Sequence, residues 1–215
     1  MRQTSEIAGL TMIEPIARIK IELQEIMPTI WRRVDVPLSS SLMSLNDIIQ
    51  VAMGWNDAHL FEFRVGEKVY TVPHPDDQMW GRKVFNAKSI TLGKLIERGV
   101  KNFVYAYDFG DNWQHVITIE EVRDGEATID YPVFVDGVRR CPPEDVGGAD
   151  GFMEFLEAVL DPAHEEHQRM IDWYGGPYDV RDIDEDRVRR ILGWFADRRR
   201  GPLASHRNRR GKREP

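Results

Sequence analysis

Phe103-Val104-Tyr105-Ala106-Tyr107-Asp108-Phe109-Gly110-Asp111-Asn112-Trp113-Gln114-His115-Val116-Ile117-Thr118-Ile119 is the stretch whose reading decides the fold. Phe103, Tyr105, Tyr107 and Phe109 alternate with smaller or polar residues, and Trp113, His115, Ile117 and Ile119 do the same after a glycine turn. A period of two marks a strand with one covered face, so the stretch reads as an antiparallel hairpin. A three-residue loop, Gly110-Asp111-Asn112, sets Phe109 opposite Trp113 and Tyr107 opposite His115. All eight large side chains then share one face. A two-residue loop would put Ala106 opposite His115 and turn the rings away, because a one-residue slip exchanges faces. The favoured register leaves Asp108 and Gln114 on the opposite face and Asp111 at the tip.

Toward the N-terminus the same logic predicts two more hairpins. Ile16 to Ile26 alternates as a strand, and Ile30 to Val36 follows across Met27-Pro28-Thr29. Leu60 to Val65 and Lys68 to Val72 are joined by Gly66-Glu67. Between the hairpins, Leu45, Ile48, Ile49, Ala52 and Met53 make an apolar stripe at helical spacing, with Ser44 as the expected cap and Asp47 three residues on. Met43 and Ile48 stand as a hydrophobic staple, and Gly54 ends the helix. Pro73 to Lys88 reads as an irregular polar loop, and Thr91 to Arg98 as a short helix.

Toward the C-terminus, Ala127 to Tyr131 is the expected edge strand. Cys141-Pro142-Pro143-Glu144-Asp145-Val146-Gly147-Gly148 leads into a helical third beginning near residue 150. There Asp150 is the expected cap for Phe152, Phe155, Leu156, Val159 and Leu160. Asp161-Pro162 is expected to end that helix and open the next, which Gly175-Gly176-Pro177 stops. Asp184 starts the last helix, acidic in its first turn and Arg198-Arg199-Arg200 in its last, matching the helix dipole. The fold class expected is α+β, a roll of antiparallel hairpins with helices packed on it. The expected organisation is an N-terminal extension over 1–14, one α+β domain over 15–197 and a basic disordered tail over 198–215.

Composition bounds the function. Hydrophobic residues are 41% and charged residues 30% of the 215, as in a soluble globular chain. Polar residues interrupt every apolar run, so no membrane span is expected. The N-terminus is a poor secretory signal, and Cys141, the single cysteine, fits a reducing compartment; both point to the cytoplasm. The net charge of −7 divides unevenly, with eight Lys/Arg and one acid from Arg198 onward, and 21 basic against 35 acidic residues before it. An acidic body repels phosphate backbones, so nucleic acid is expected only at the tail, if that tail is more than a solvated terminus. The phosphate-binding glycine loop, His-Glu-x-x-His, Gly-x-Ser-x-Gly and paired cysteines are all missing.

Five stretches together resemble one family. They are Trp31-Arg32-Arg33-Val34 with Val36-Pro37; Ile49-Gln50 with Gly54-Trp55 and His59; Tyr107 to His115; Cys141 to Gly148; and Gly151-Phe152 with Phe155-Leu156. In order and spacing over roughly 15–195 the chain resembles the plasmid pRiA4b ORF-three-like family. The resemblance implies a single α+β roll of bacterial or archaeal origin with no assigned biochemical activity. Links to mobile elements circulate for the family. Many relatives have histidine at the position of Asn46 and cysteines at those of Phe134 and Val146, so a cysteine-based metal site is not expected here.

The candidate ligand or metal site is Asp108, Asp111, His115, His59, Glu144 and Asp145, with Trp55 and Trp113 as candidate cleft aromatics. Carboxylates and imidazoles suit a divalent metal such as zinc or manganese, or general acid–base work. Each group also has a plainer explanation. Asp108 and Asp111 flank a turn, where Asp bonds its own backbone. His115 falls on the ring-lined face, where a core histidine is common. Glu144 to Gly148 would serve as a rigid crossover, and Trp55 would pack beside a surface loop. Arg32 and Arg33 are expected to pair with the acidic surface, and His164 with His167, three apart, to face solvent. Three functions follow from these groups: a module binding a small molecule or peptide, a metal-dependent hydrolase using the same residues, and a DNA-associated factor acting through the tail.

Overall fold

A computed structural model describes residues 13–75, 77 and 81–200. Its centre is one eight-stranded sheet in the order β5-β4-β3-β6-β7-β1-β2-β8. The strands are β1 (Pro15–Leu23), β2 (Trp31–Pro37), β3 (Phe61–Val65), β4 (Lys68–Thr71), β5 (Val84–Asn86), β6 (Asn102–Tyr107), β7 (Trp113–Asp124) and β8 (Val133–Val138). Neighbours are antiparallel except β4 and β5, which run parallel. The helices are α1 (Leu42–Met53), α2 (Leu92–Glu97), α3 (Gly148–Leu160), α4 (His167–Tyr174) and α5 (Glu185–Arg200). The expected α+β class, hairpins with a helical last third, is the class observed.

The decisive hairpin keeps its faces but slides along its axis. Tyr107 pairs with Trp113, Tyr105 with His115 and Phe103 with Ile117. The connection is therefore the five residues Asp108 to Asn112, not three. Asp108 and Asn112 both take positive φ, +54° and +57°, which Asp and Asn tolerate. A slide of two residues preserves side-chain parity, so the rings stay on the covered face. Phe109 alone leaves it and is exposed. The row continues across the sheet: Phe63 opposite Tyr105 on one side, Leu23 opposite His115 on the other.

Other boundaries move for local reasons. The cap of α1 is Ser41, whose hydroxyl accepts the Ser44 N–H at 3.1 Å, so Ser44 and Met43 lie inside the helix. β1 ends at Leu23 and not Ile26, and Glu25 takes positive φ in the connection. The edge strand is β8, six residues beyond the expected Ala127 to Tyr131. Phe134 gives β8 a buried anchor, whereas Ile129 is exposed. The supposedly irregular 73–88 contains β5, where Phe85 packs on Tyr70 at 5.5 Å between ring centres; 76 and 78–80 lie outside the described residues. Asp150 sits in the first turn of α3, whose cap position is Gly147. Residues 161–166 form turns, and α4 begins only at His167.

The apolar stripe of α1 joins β1, β2, β3, β6 and β7 in one core that also takes in Phe152, Phe155, Val188 and Leu192 from α3 and α5. α5 lies against β8 and α1 and runs to Arg200, so Arg198 to Arg200 are helical. The remaining tail and residues 1–12 lie outside the described residues. No helix among those described is long and apolar enough to cross a membrane.

Candidate functional site

Three loops meet at the end of the sheet marked by the row Phe61, Tyr107 and Trp113. They are 54–59 after α1, 108–112 between β6 and β7, and 139–147 between β8 and α3. Their meeting is organised by side chains that the sequence hides inside apolar patterns. Asn46 and Gln50 sit on the buried face of α1. The Tyr105 hydroxyl donates to Asn46 Oδ1 at 2.7 Å and accepts from Gln50 Nε2 at 2.9 Å. Asn46 Nδ2 donates to Asp57 Oδ1, and the Asp57 N–H donates to Gln50 Oε1, both at 2.9 Å. The loop after α1 is thus held to helix and sheet by a closed polar network.

The second tie is Tyr107. Its hydroxyl accepts the N–H groups of Ala58 at 3.0 Å and His59 at 3.3 Å. It donates to Glu144, lying 3.1 Å from either carboxylate oxygen. Burial, and then the charge of Glu144, push this hydroxyl well above the usual tyrosine range, so it keeps its proton and acts as donor. Trp55 Nε1 donates to the Pro142 carbonyl at 2.9 Å and the Asn56 N–H to Glu144 Oε1 at 2.8 Å. The third loop closes on the others when Asp111 Oδ2 accepts the Gly147 N–H at 3.1 Å. Gly148 has φ of +70°, and a Cβ there would stand 2.8 Å from the Asp111 carbonyl, so this approach requires glycine.

These ties gather four of the expected groups around one point. His59 Nε2 lies 3.1 Å from Asp145 Oδ1, 3.6 Å from Asp108 Oδ2 and 3.8 Å from Glu144 Oε2. His59, Asp108 and Asp145 each offer a ligand atom within 4.8 Å of the others. Asp108 does bond its own turn, through Oδ1 to the Gly110 and Asp111 N–H groups at 2.9 and 3.4 Å, but this leaves Oδ2 facing His59. Asp108 is buried, Glu144 half-buried and Asp145 open to solvent. His59 Nε2 is itself covered and makes no hydrogen bond within the described residues.

The remaining candidates fall elsewhere. His115 is fully buried, edge-on to Trp55 with ring centres 5.3 Å apart, and its Nδ1 lies 3.3 Å from the Tyr105 carbonyl. Burial pushes its pKa down to about 4, outweighing the backbone contacts, so it is a neutral core ring and not a ligand of the cluster. Asp111 is spent on Gly147. Trp55 and Trp113 stack at 6.1 Å and are both buried; Trp113 backs the cluster, and Trp55 also lines a cavity beside it. His164 and His167 are engaged locally: His164 Nδ1 accepts the Glu166 N–H, and His167 Nδ1 lies 2.8 Å from the Ala158 carbonyl.

Arg33 pairs with Glu120 at 2.7 Å as expected of a surface arginine. Arg32 does not. It is 1% exposed and has no carboxylate within ion-pair distance among the described residues. Asn46, Gln50, Tyr105, Tyr107 and Arg32 are the positioning residues that the sequence reading missed. For Asn46 and Gln50 the signal was that, four apart, they interrupt the apolar stripe of α1 on its covered side.

Comparison with known proteins agrees with this architecture. A crystal structure of a protein of unknown function, MM3350 from Methanosarcina mazei Go1, superposes with a TM-score of 0.74 at 31% identity, covering 83% of this chain and 98% of the other. The uncharacterized protein y4hQ of Sinorhizobium fredii is 39% identical over 165 residues, 76% of this chain and 83% of the relative. The family model described as plasmid pRiA4b ORF-3-like protein matches residues 15–187, and the chain belongs to that family.

Proposed function

We propose that the chain is a binding module whose ligand is a divalent cation, held by His59, Asp108, Asp145 and Glu144. The observation that carries this reading is His59 Nε2, covered and without a hydrogen bond, facing three carboxylate oxygens at 3.1, 3.6 and 3.8 Å. Ligand atoms about 2.0–2.2 Å from one ion, at ordinary coordination angles, stand about 3.0–3.6 Å apart. The distances from His59 Nε2 to Asp145 and Asp108 fall in this range, and that to Glu144 lies just beyond it. Asp108 and Glu144 are each oriented by hydrogen bonds from loop N–H groups or Tyr107, the arrangement that fixes metal-binding carboxylates. One imidazole with carboxylates suits zinc or manganese. Water completing such a sphere would be polarised, which is the hydrolytic form of the same reading.

The test is calorimetric titration of chelator-treated protein with zinc and with manganese, alongside thermal melts. Saturable binding with a 1:1 ratio is expected. At about 100-fold excess over Kd it stabilises by about 2.7 kcal/mol, raising Tm by roughly 5–10 °C for a chain of this size. Asp145→Asn, at an exposed position, and His59→Gln should fold normally and lose the shift. Equal binding by the wild type and both variants, or none by the wild type, refutes the assignment.

A further inference from the structure

Beside the cation cluster, and sharing Trp55 and Glu144 with its surroundings, lies a cavity of about 410 Å³ between the end of α1, the loop after β8 and the start of α5. Three guanidinium groups line it, from Arg32, Arg140 and Arg187, together with the rings of Trp55, Trp173 and Tyr174.

Arg32 is on the covered face of the sheet, opposite Ile21 on β1 and Gly137 on β8. A Cβ at Gly137 would stand 2.7 Å from Arg32 Cδ, so glycine makes room for the side chain. Four of the five guanidinium N–H groups have acceptors. Nε donates to the Ala52 carbonyl at 2.9 Å, Nη1 to those of Trp31 and Val138 at 2.8 and 3.0 Å, and Nη2 to Cys141 Sγ at 3.4 Å. Ala52 is in the last turn of α1, so the helix dipole offsets part of the charge. None of these acceptors is anionic. Burial pushes the Cys141 thiol up by more than Arg32 and Arg140 pull it down, so it stays neutral and supplies no countercharge. A buried cation without a counter-ion is costly, and the cost falls when an anion reaches it.

Arg187, half-buried on the first turns of α5, likewise has no ion pair among the described residues. Arg140 is already engaged by Asp182 and the Tyr174 hydroxyl, each at 2.6 Å. Glu144 and Asp184 also line the cavity and would repel a bulky polyanion from its rim.

We propose that this cavity binds a small organic anion, its carboxylate or phosphate oxygens set against Arg32 and Arg187 and its flat or apolar body between Trp55 and Trp173. Guanidinium forks suit both oxyanions, and a cavity of this size suits a small metabolite. The proposal does not rest on the cation reading. It is tested in chelator, so that the two can fail separately.

The experiment titrates full-length protein in EDTA with inorganic phosphate in one arm and benzoate in the other, following tryptophan fluorescence and Tm. Saturable quenching with a rise in Tm in either arm is expected, and the arm that responds tells phosphate from carboxylate. Arg32 is too deeply packed for a clean variant, so the decisive change is Arg187→Ala, which loses one charge-assisted contact. Removing such a bond costs about 1.5–3 kcal/mol, a loss in affinity of roughly 10- to 100-fold. Trp173→Phe should remove much of the fluorescence response while sparing the Tm response, and Lys94→Ala, exposed on α2 away from the cavity, should leave anion affinity unchanged. No saturable response to either anion, or an affinity unaltered in Arg187→Ala, overturns the proposal.

Discussion

His115 shows how a single buried side chain can dominate one part of the pH profile. Its neutral ring is enclosed by Trp55 and Tyr105, and its pKa is lowered from 6.5 to about 4 by burial. Between those values the unfolded chain takes up the proton and the folded chain does not. The contribution of His115 is therefore complete above pH 6.5 and is lost as pH falls toward 4. A shift of this size corresponds to something on the order of 3 kcal/mol. Denaturant melts across that interval should show falling stability, and His115→Gln, less stable overall, should show a shallower decline. A parallel decline in both proteins would place the titration elsewhere. Arg32 was misplaced on the surface although Arg32, Val34 and Val36 alternate onto one face of β2. Charge argued for the surface, and the burial of its neighbours won: Val34 and Val36 are fully covered, and the helix end above supplies a carbonyl.

At the scale of elements, strand parity and helix periodicity were readable, and termini were less so. The three hairpins and the core-facing rings follow from period two, which the sequence carries in full. Their offsets do not follow. The β6–β7 connection grew to five residues because Asp108 and Asn112 accept positive φ and Asp108 satisfies the turn from within. Likewise α1 begins one turn early. Serines at 39, 40, 41 and 44 all could cap, and Ser41 is selected because its side chain meets the Ser44 N–H and its carbonyl the Leu45 N–H. Ser41→Ala should therefore cost about 1 kcal/mol, lowering Tm by about 2–4 °C. Ser44→Ala keeps the accepting hydroxyl and should cost less. Differential scanning calorimetry of the two variants decides between the caps, and the reverse order would restore Ser44.

At the scale of the molecule, the three loops form one unit because Tyr107, the last residue of β6, reaches all of its neighbours. Tyr107→Phe removes one oxygen that accepts two N–H groups and donates to Glu144. The core ring remains, stacked on Trp55 at 5.1 Å. The expected result is a small loss of global stability with a much larger loss of zinc or manganese affinity, about 10- to 100-fold, as for other outer partners of metal ligands. Titration calorimetry beside thermal melts reads the two effects separately. A variant losing stability and affinity in proportion would make Tyr107 a general core residue.

By itself the sequence determined the α+β class, the pairing faces of the three hairpins and the stripe of α1, and it supplied a set of carboxylates and imidazoles, because alternation and composition are local properties. Tertiary structure alone decided which of those groups meet. His59, Asp108, Glu144 and Asp145 come from three loops brought to one end of the sheet, whereas Asp111 and His115 are taken up by Gly147 and the core. The register of β6 on β7 and the polar ties from Asn46, Gln50 and Tyr107 set that outcome. Those are distances between residues far apart in the chain, to which a local pattern is blind.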